Sequence, residues 1–137
     1  EIKIENSSKW QSIHLKSIES AYKTSPFFEF YEDEFKQLFE TPKELLLDFN
    51  LECIKVINSC INYQPVISYS EQFSKTTSET DYRFLVNARK ESKIETKPYI
   101  QVFQDKHGSL SNLSILDLLY NEGPNTLNYL KNHPLTY

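Results

Sequence analysis

The stretch from 99 to 130 constrains the fold most, because it holds both glycines of the 137-residue chain and a helical repeat of apolar residues. The apolar residues at helical spacing are Leu113, Ile115, Leu116, Leu118, Leu119 and Tyr120. This spacing predicts a helix with one buried face, and Ser114 with Asp117 forms a capping box at its start. Gly123 suits the left-handed turn after a helix, and Pro124 can open the next one. We therefore predict a loop, a buried helix, a sharp corner and a second helix.

Helix start signals also divide the first half of the chain. The signals are Ser8 with Gln11, Ser25 with Pro26, and the run from Thr41 to Glu44. They combine capping side chains with first-turn prolines, and they predict helices over about 9–23, from about 26, and from about 42 to 62. The third helix is expected to bury Leu45, Phe49, Cys53, Val56, Ile57 and Cys60. It is long enough to form the spine of the domain.

Two segments have strand character. Residues 1–5 alternate charged and apolar side chains, and 66–73 contains strand-like residues. The stretch 81–97 is predicted to be helical in its first half, around Phe84, Leu85 and Ala88. The fold class is therefore mainly α, with five or six helices and one or two short strands, in a single helical domain over 1–137. Since the chain has no methionine and begins with Glu1, we expect it to be the C-terminal part of a longer protein. The first strand would then pair with the upstream segment of the same polypeptide.

Charge and composition exclude several functions. A net charge of −4 and a pI of 5.4 argue against nucleic-acid binding, which needs a basic surface. No apolar run is long enough for a membrane span, and no signal peptide is evident. Cys53 and Cys60 lie about 10 Å apart along one predicted helix, too far for a disulfide, so buried thiols in a reducing cytoplasm are favoured.

No cofactor or metal site is predicted. Histidines and cysteines lack zinc spacing, and the chain has no phosphate-binding glycine loop and no nucleophile elbow. The acidic residues Glu29, Glu32, Asp33 and Glu34 are interpreted as a solvated face near the positive end of a helix.

His14 is the first candidate for chemistry, because an imidazole can move protons near neutral pH. It lies on the core-facing stripe of the first predicted helix, between Trp10 and Ile18. The alternative is a partly buried histidine hydrogen-bonded to a carboxylate or carbonyl.

Asp81 and Arg83 form the second candidate. On an extended segment their spacing places them on one side, where they could clamp an anion or orient a base; the alternative is a local ion pair that anchors the loop.

His107, in the turn from Lys106 to Gly108, and Asn112 form a third candidate. They suit an anion pocket at a helix start or an ordinary β-turn.

Several segments resemble the WbqC-like protein family of bacteria. They are KWQSIHLKSIESAYKTSPFFEFYEDEF, LLLDFNLE, SETDYRF and YIQVFQDKHGSLSNLSILDLLYNEGPNTLNYL, which together span nearly the whole chain. The resemblance implies a link to O-antigen and surface polysaccharide synthesis, with transfer of a small acyl or aminoacyl group onto a sugar. Family members also carry an upstream Gln-Pro-x-Tyr-type motif that this sequence lacks. The polar residues that match are Trp10, His14, Tyr22, Asp81, Arg83, His107 and Asn112.

Two hypotheses follow. In the first, the chain is part of a cytoplasmic transferase acting on a sugar or nucleotide-linked substrate. His14 is its general base, Asp81 and Arg83 orient that base or bind an anionic donor, and Tyr22, His107 and Asn112 bind substrate. In the second, the chain is a non-catalytic helical interaction module of a biosynthetic complex, whose contact surface is Phe27, Phe30 and Tyr31. Convergence of His14, Arg83 and His107 on one cleft would favour the enzyme.

Overall fold

The computed structural model describes residues 1–76, 80–83 and 96–133. The helices are α1 (Trp10–Tyr22), α2 (Phe28–Glu40), α3 (Leu46–Cys60), α4 (Gln104–His107), α5 (Ile115–Glu122) and α6 (Thr126–Lys131), with a 3-10 turn at Gly123–Asn125. The mainly α fold class is confirmed. The helix expected around Phe84, Leu85 and Ala88 lies outside the described residues. In the part of the chain that is described, no helix is long and apolar enough to cross a membrane.

The N-terminal segment pairs within the chain. Lys3 lies opposite Leu45 in an isolated antiparallel bridge. The Ile4 amide donates to the Glu44 carbonyl at 2.8 Å, and the Leu46 amide donates to the Ile2 carbonyl at 3.0 Å. The N-terminal segment therefore has a backbone partner within the chain, which the sequence analysis did not predict.

The strand expected over 66–73 was also wrong. Residues 63–70 have no regular structure, and the side chain of Val66 is fully exposed. Strand-like residues form a strand only where a neighbouring backbone offers hydrogen bonds. Apart from the bridge at Lys3, no β pairing occurs among the described residues.

The helix hairpin at the C-terminal end follows the prediction. Ser114 is the N-cap of α5, and its Oγ accepts from the Leu116 amide at 3.3 Å. Gly123 ends that helix with a φ of +52°, and the 3-10 turn that contains Pro124 leads into α6. Asp117 differs from the prediction, since its carboxylate is buried and does not complete the capping box.

The core lies where α5 meets α1 and α2. Its fully buried centre is Leu119 and Tyr120. The Tyr120 ring lies 5.2 Å from the ring of Tyr22, 5.2 Å from that of Phe28 and 5.7 Å from that of Phe35. Helix α3 packs against this cluster with partly buried residues, namely Phe49, Cys53, Val56, Ile57 and Cys60. Helix α3 was predicted to form the spine of the domain, but none of its residues is fully buried. Helices α2 and α5 form the centre instead.

Candidate functional site

His14 lies exposed on α1, at the edge of an aromatic cluster. Its ring is 5.4 Å from the Trp10 ring and 6.1 Å from the Phe39 ring, both in edge contacts. Trp10 in turn meets Phe49 at 5.2 Å. The structure thus corrects the expectation that His14 faces the core. Among the described residues it has no hydrogen-bonding partner, so its ring nitrogens are available to a ligand.

Arg83 is held by its own loop. Its Nε donates to Asp81 Oδ1 at 2.8 Å, and its Nη2 lies 2.6 Å from Asp81 Oδ2. Nη1 donates to the Ser74 carbonyl at 2.7 Å, and the guanidinium lies 5.5 Å from the centroid of the Phe73 ring. Hydrogen bonds from Arg83 lower the pKa of Asp81 to about 2. The geometry is that of an ion pair anchoring the loop, the second of the two interpretations of this pair.

The third candidate lies on a loop closed by Gln101. Gln101 is buried; its Oε1 accepts from the Leu110 amide at 3.0 Å, and its Nε2 donates to the Leu110 carbonyl at 2.7 Å. His107, at the end of α4, is exposed on this loop. Asn112 follows in the left-handed region with a φ of +56°. The sequence analysis missed these two hydrogen bonds of Gln101. A bond between a side chain and the backbone nine residues away leaves no periodic pattern in the sequence.

Tyr22 belongs to a polar cluster that the sequence analysis also missed. The Tyr99 hydroxyl donates to Asp117 Oδ1 at 2.7 Å, and Asn121 Nδ2 donates to the Asp117 carbonyl at 2.8 Å. Burial and the Asp117 carboxylate raise the pKa of both Tyr22 and Tyr99. Both hydroxyls therefore stay protonated, and that of Tyr99 donates to the buried carboxylate. An acid on an apolar helix face was the available signal, and it was interpreted as a capping residue.

The segment after 95 is hydrogen-bonded to the end of α6, beside this cluster. The Lys97 amide donates to His133 Nε2 at 3.0 Å, and His133 Nδ1 lies 2.8 Å from the Tyr129 carbonyl. The Tyr129 hydroxyl donates to the Lys97 carbonyl. This pairing requires a neutral His133 with its proton on Nδ1.

Among the predicted site residues, direct contacts with one another are limited to a single pair. Of His14, Tyr22, Asp81, Arg83, His107 and Asn112, only Asp81 and Arg83 share a hydrogen bond or ring contact with each other. The predicted aromatic surface is also divided. Phe30 is 75% exposed, Phe27 is half-buried, and Tyr31 is buried. In the described part of the chain, no group of His, Cys, Asp or Glu residues could hold a metal ion.

A comparison with protein families identifies the chain. The profile described as the WbqC-like protein family matches residues 1–102. The chain belongs to this family. Searches of curated proteins and of solved structures found no match.

The WbqC-like match does not extend as far as the sequence resemblance suggested. It includes His14, Tyr22, Asp81 and Arg83, and it ends before His107, Asn112 and helix α5. The segment from 99 to 130 was expected to carry the resemblance most specifically, but the match reaches only its first four residues. In this WbqC-like chain the family segment therefore supplies α1 to α3, and the helix that fills the core follows it.

Proposed function

We propose that the chain is a helical protein-interaction module acting in the bacterial cytoplasm during assembly of surface polysaccharide such as O-antigen. The family resemblance supports the link to polysaccharide. The single observation that favours binding is the Phe30 side chain, which is 75% exposed and offers a large apolar anchor to a partner. His14, Arg83 and His107 lie on different elements, and no described hydrogen bond or ring contact joins them to one another.

A second candidate function is transfer of an acyl or aminoacyl group onto a sugar, with His14 as general base. One observation favours it: the His14 imidazole is exposed, lacks a hydrogen bond among the described residues, and stands beside the Trp10 and Phe39 rings. A free imidazole can accept a proton, and the neighbouring aromatic rings can pack against the face of a sugar. The Asp81 and Arg83 pair, occupied within its loop, would then act only by positioning that loop.

Complementation in the native host separates the two functions. The natural gene is deleted and restored as wild type, as His14→Ala or as Phe30→Ala, with the variants placed in the full natural protein. Surface polysaccharide is measured from the ladder of chain lengths on a gel. Lys16→Ala serves as the matched control, because it removes an exposed side chain from the same helix as His14.

The interaction module predicts that Phe30→Ala loses the ladder while His14→Ala and Lys16→Ala keep it. The transferase predicts that His14→Ala loses the ladder at unchanged protein level. If deletion of the whole gene leaves the ladder intact, the proposed role in polysaccharide assembly is wrong.

A further inference from the structure

A surface groove opens between α2 and the end of α3. Its volume is about 450 Å³. The lining residues are Phe30, Tyr31, Glu34, Ser59, Cys60, Ile61, Asn62 and Pro124. The groove thus combines two aromatic rings, one carboxylate and several small polar groups, and none of the residues predicted as catalytic lines it.

The two rings present a π face at the rim. The Phe30 and Tyr31 rings meet edge-on, with centroids 5.0 Å apart and an angle of 76° between their planes. Because the rings are not stacked and Phe30 is 75% exposed, a face of the Phe30 ring is open to solvent. An exposed aromatic face attracts cations through its quadrupole.

Glu34 places a negative charge beside that face. It lies one helical turn after Phe30 on α2, so the two side chains are neighbours on the helix surface. Burial is the main cause that raises the pKa of the Cys60 thiol to about 11, and the negative charge of Glu34 is the second cause. The thiol is therefore neutral at pH 7, and Glu34 supplies the one carboxyl group among the described lining residues.

The Glu34 carboxylate is not paired with a cation in the described part of the chain. Lys43 and Lys55 line a second groove on the other side of Glu34, but neither forms a salt bridge with it. Lys55 instead pairs with Glu52 at 3.4 Å. The other acidic residues close to Phe30 on the helix, Glu29 and Asp33, do not line the groove.

We propose that this groove docks a basic side chain, lysine or arginine, presented by a partner protein. The inference rests on the proposed interaction module and names the chemistry that its surface recognises. The cation lies over the Phe30 face and pairs with Glu34, and its aliphatic stem covers Ile61 and Pro124.

The shape of the groove favours a protein over a small molecule. Small-molecule sites enclose most of the ligand, with the aromatic residues inside a pocket. Here the main ring protrudes, so its partner has to cover it from outside. Protruding aromatic residues surrounded by polar groups are typical anchors of protein interfaces.

The first test measures binding of two short peptides to the intact chain by NMR. One probe is Ac-Gly-Lys-Gly-NH2, and the other replaces lysine by norleucine, which keeps the hydrocarbon chain and lacks the ammonium. We expect the lysine peptide to shift the amide signals of Phe30, Glu34 and Asn62, and the norleucine peptide to bind about two- to fivefold more weakly. Equal affinity for both probes would overturn the proposal.

Substitutions at exposed positions then locate the interaction. Glu34→Gln and Phe30→Leu are each expected to weaken the lysine peptide by about two- to fivefold. Glu29→Gln is the matched control, since it removes the same charge from the same helix outside the groove and should leave the affinity unchanged. If Glu29→Gln and Glu34→Gln weaken binding equally, the effect is one of net charge and the groove is not the site.

The peptide measurement and the complementation experiment fail independently. If Phe30→Ala loses the polysaccharide ladder but the lysine peptide does not bind, the proposed interaction module is supported and the proposed docking of a basic side chain is wrong. If the peptide binds as expected and the ladder survives deletion, the groove stands and the role in polysaccharide assembly is wrong.

Discussion

Gly123 shows how a single residue determines the packing of two elements. A Cβ placed on it would lie 2.5 Å from the Phe27 ring, and the Phe27 amide donates to the Tyr120 carbonyl at 3.0 Å. The residue therefore combines a positive φ with a close approach of the loop between α1 and α2. The helix stop could be predicted from the Gly-Pro pair. The ring above it could not, because Phe27 is nearly a hundred residues away in the sequence.

Replacing Gly123 by alanine tests this close approach. Backbone strain at a glycine-only conformation costs about 1–3 kcal/mol, and overpacking against Phe27 adds about 1–3 kcal/mol. Gly108→Ala is the matched control, because Gly108 has a φ of +71° but open space around its missing Cβ. We expect Gly123→Ala to lower the free energy of unfolding by about 1–3 kcal/mol more than Gly108→Ala in denaturant titrations. Equal losses would mean that Phe27 moves aside without cost.

At the scale of elements, the sequence predicted where the helices lie along the chain, but it did not predict the first residue of several of them. Thr41 looks like an N-cap, but it ends α2, and its hydroxyl donates to the Gln37 carbonyl at 2.9 Å. Helix α3 begins later because Leu45 is held extended by its bridge to Lys3. Likewise, Gln11 donates to the Asn6 side chain at 3.1 Å and does not cap α1. Contacts distant in sequence override local capping signals.

The bond from Tyr99 to Asp117 connects the segment after 95 to helix α5. Tyr99→Phe removes the donor and leaves a buried carboxylate one hydrogen bond short, which costs about 1–3 kcal/mol. Tyr69→Phe is the control, because Tyr69 is 69% exposed and its hydroxyl has no partner among the described residues. We expect thermal unfolding to shift downward for Tyr99→Phe and to stay unchanged for Tyr69→Phe. An unchanged Tyr99→Phe variant would show that Tyr22 and Asn121 satisfy the carboxylate alone.

The Asp81 and Arg83 pair predicts a pH dependence of its loop. Because the folded pKa of Asp81 is lowered from 3.8 to about 2, the pair contributes fully above the ordinary value and is lost as pH falls through about 2. Arg83→Lys keeps the charge but loses the guanidinium fork, so the midpoint of the Asp81 carboxyl signal in an NMR titration should rise toward 3.8. Lys75→Gln, which removes a nearby charge outside the pair, should leave the midpoint near 2. A midpoint that stays low in Arg83→Lys would contradict the fork as its cause.

For the whole molecule, composition and periodicity predicted a mainly helical domain but not the sites within it. Apolar spacing identifies which residues are buried, and it located the helix that contains Leu119 and Tyr120. It gives no distance between polar residues on different elements. The Asp117 cluster and the groove at Phe30 arise from tertiary packing, so they could be found only in the structure.

Truncation after 102 tests how the domain depends on residues beyond the family match. A chain of residues 1–102 keeps α1 to α3 but loses Leu119 and Tyr120, both fully buried against α2. Loss of large core side chains costs about 3–5 kcal/mol each, which approaches the whole stability of a small domain. We therefore expect residues 1–102 to lose near-UV circular dichroism and cooperative unfolding.

A chain of residues 1–133 is the matched truncation, because it keeps every described contact. We expect it to unfold cooperatively, with the near-UV signal of the 137-residue chain. If residues 1–102 alone gave that signal, α1 to α3 would hold their own core and the C-terminal hairpin would be an addition to it. The expected result instead places the folding boundary beyond residue 102, because the buried ring of Tyr120 connects the family segment to the helices that follow it.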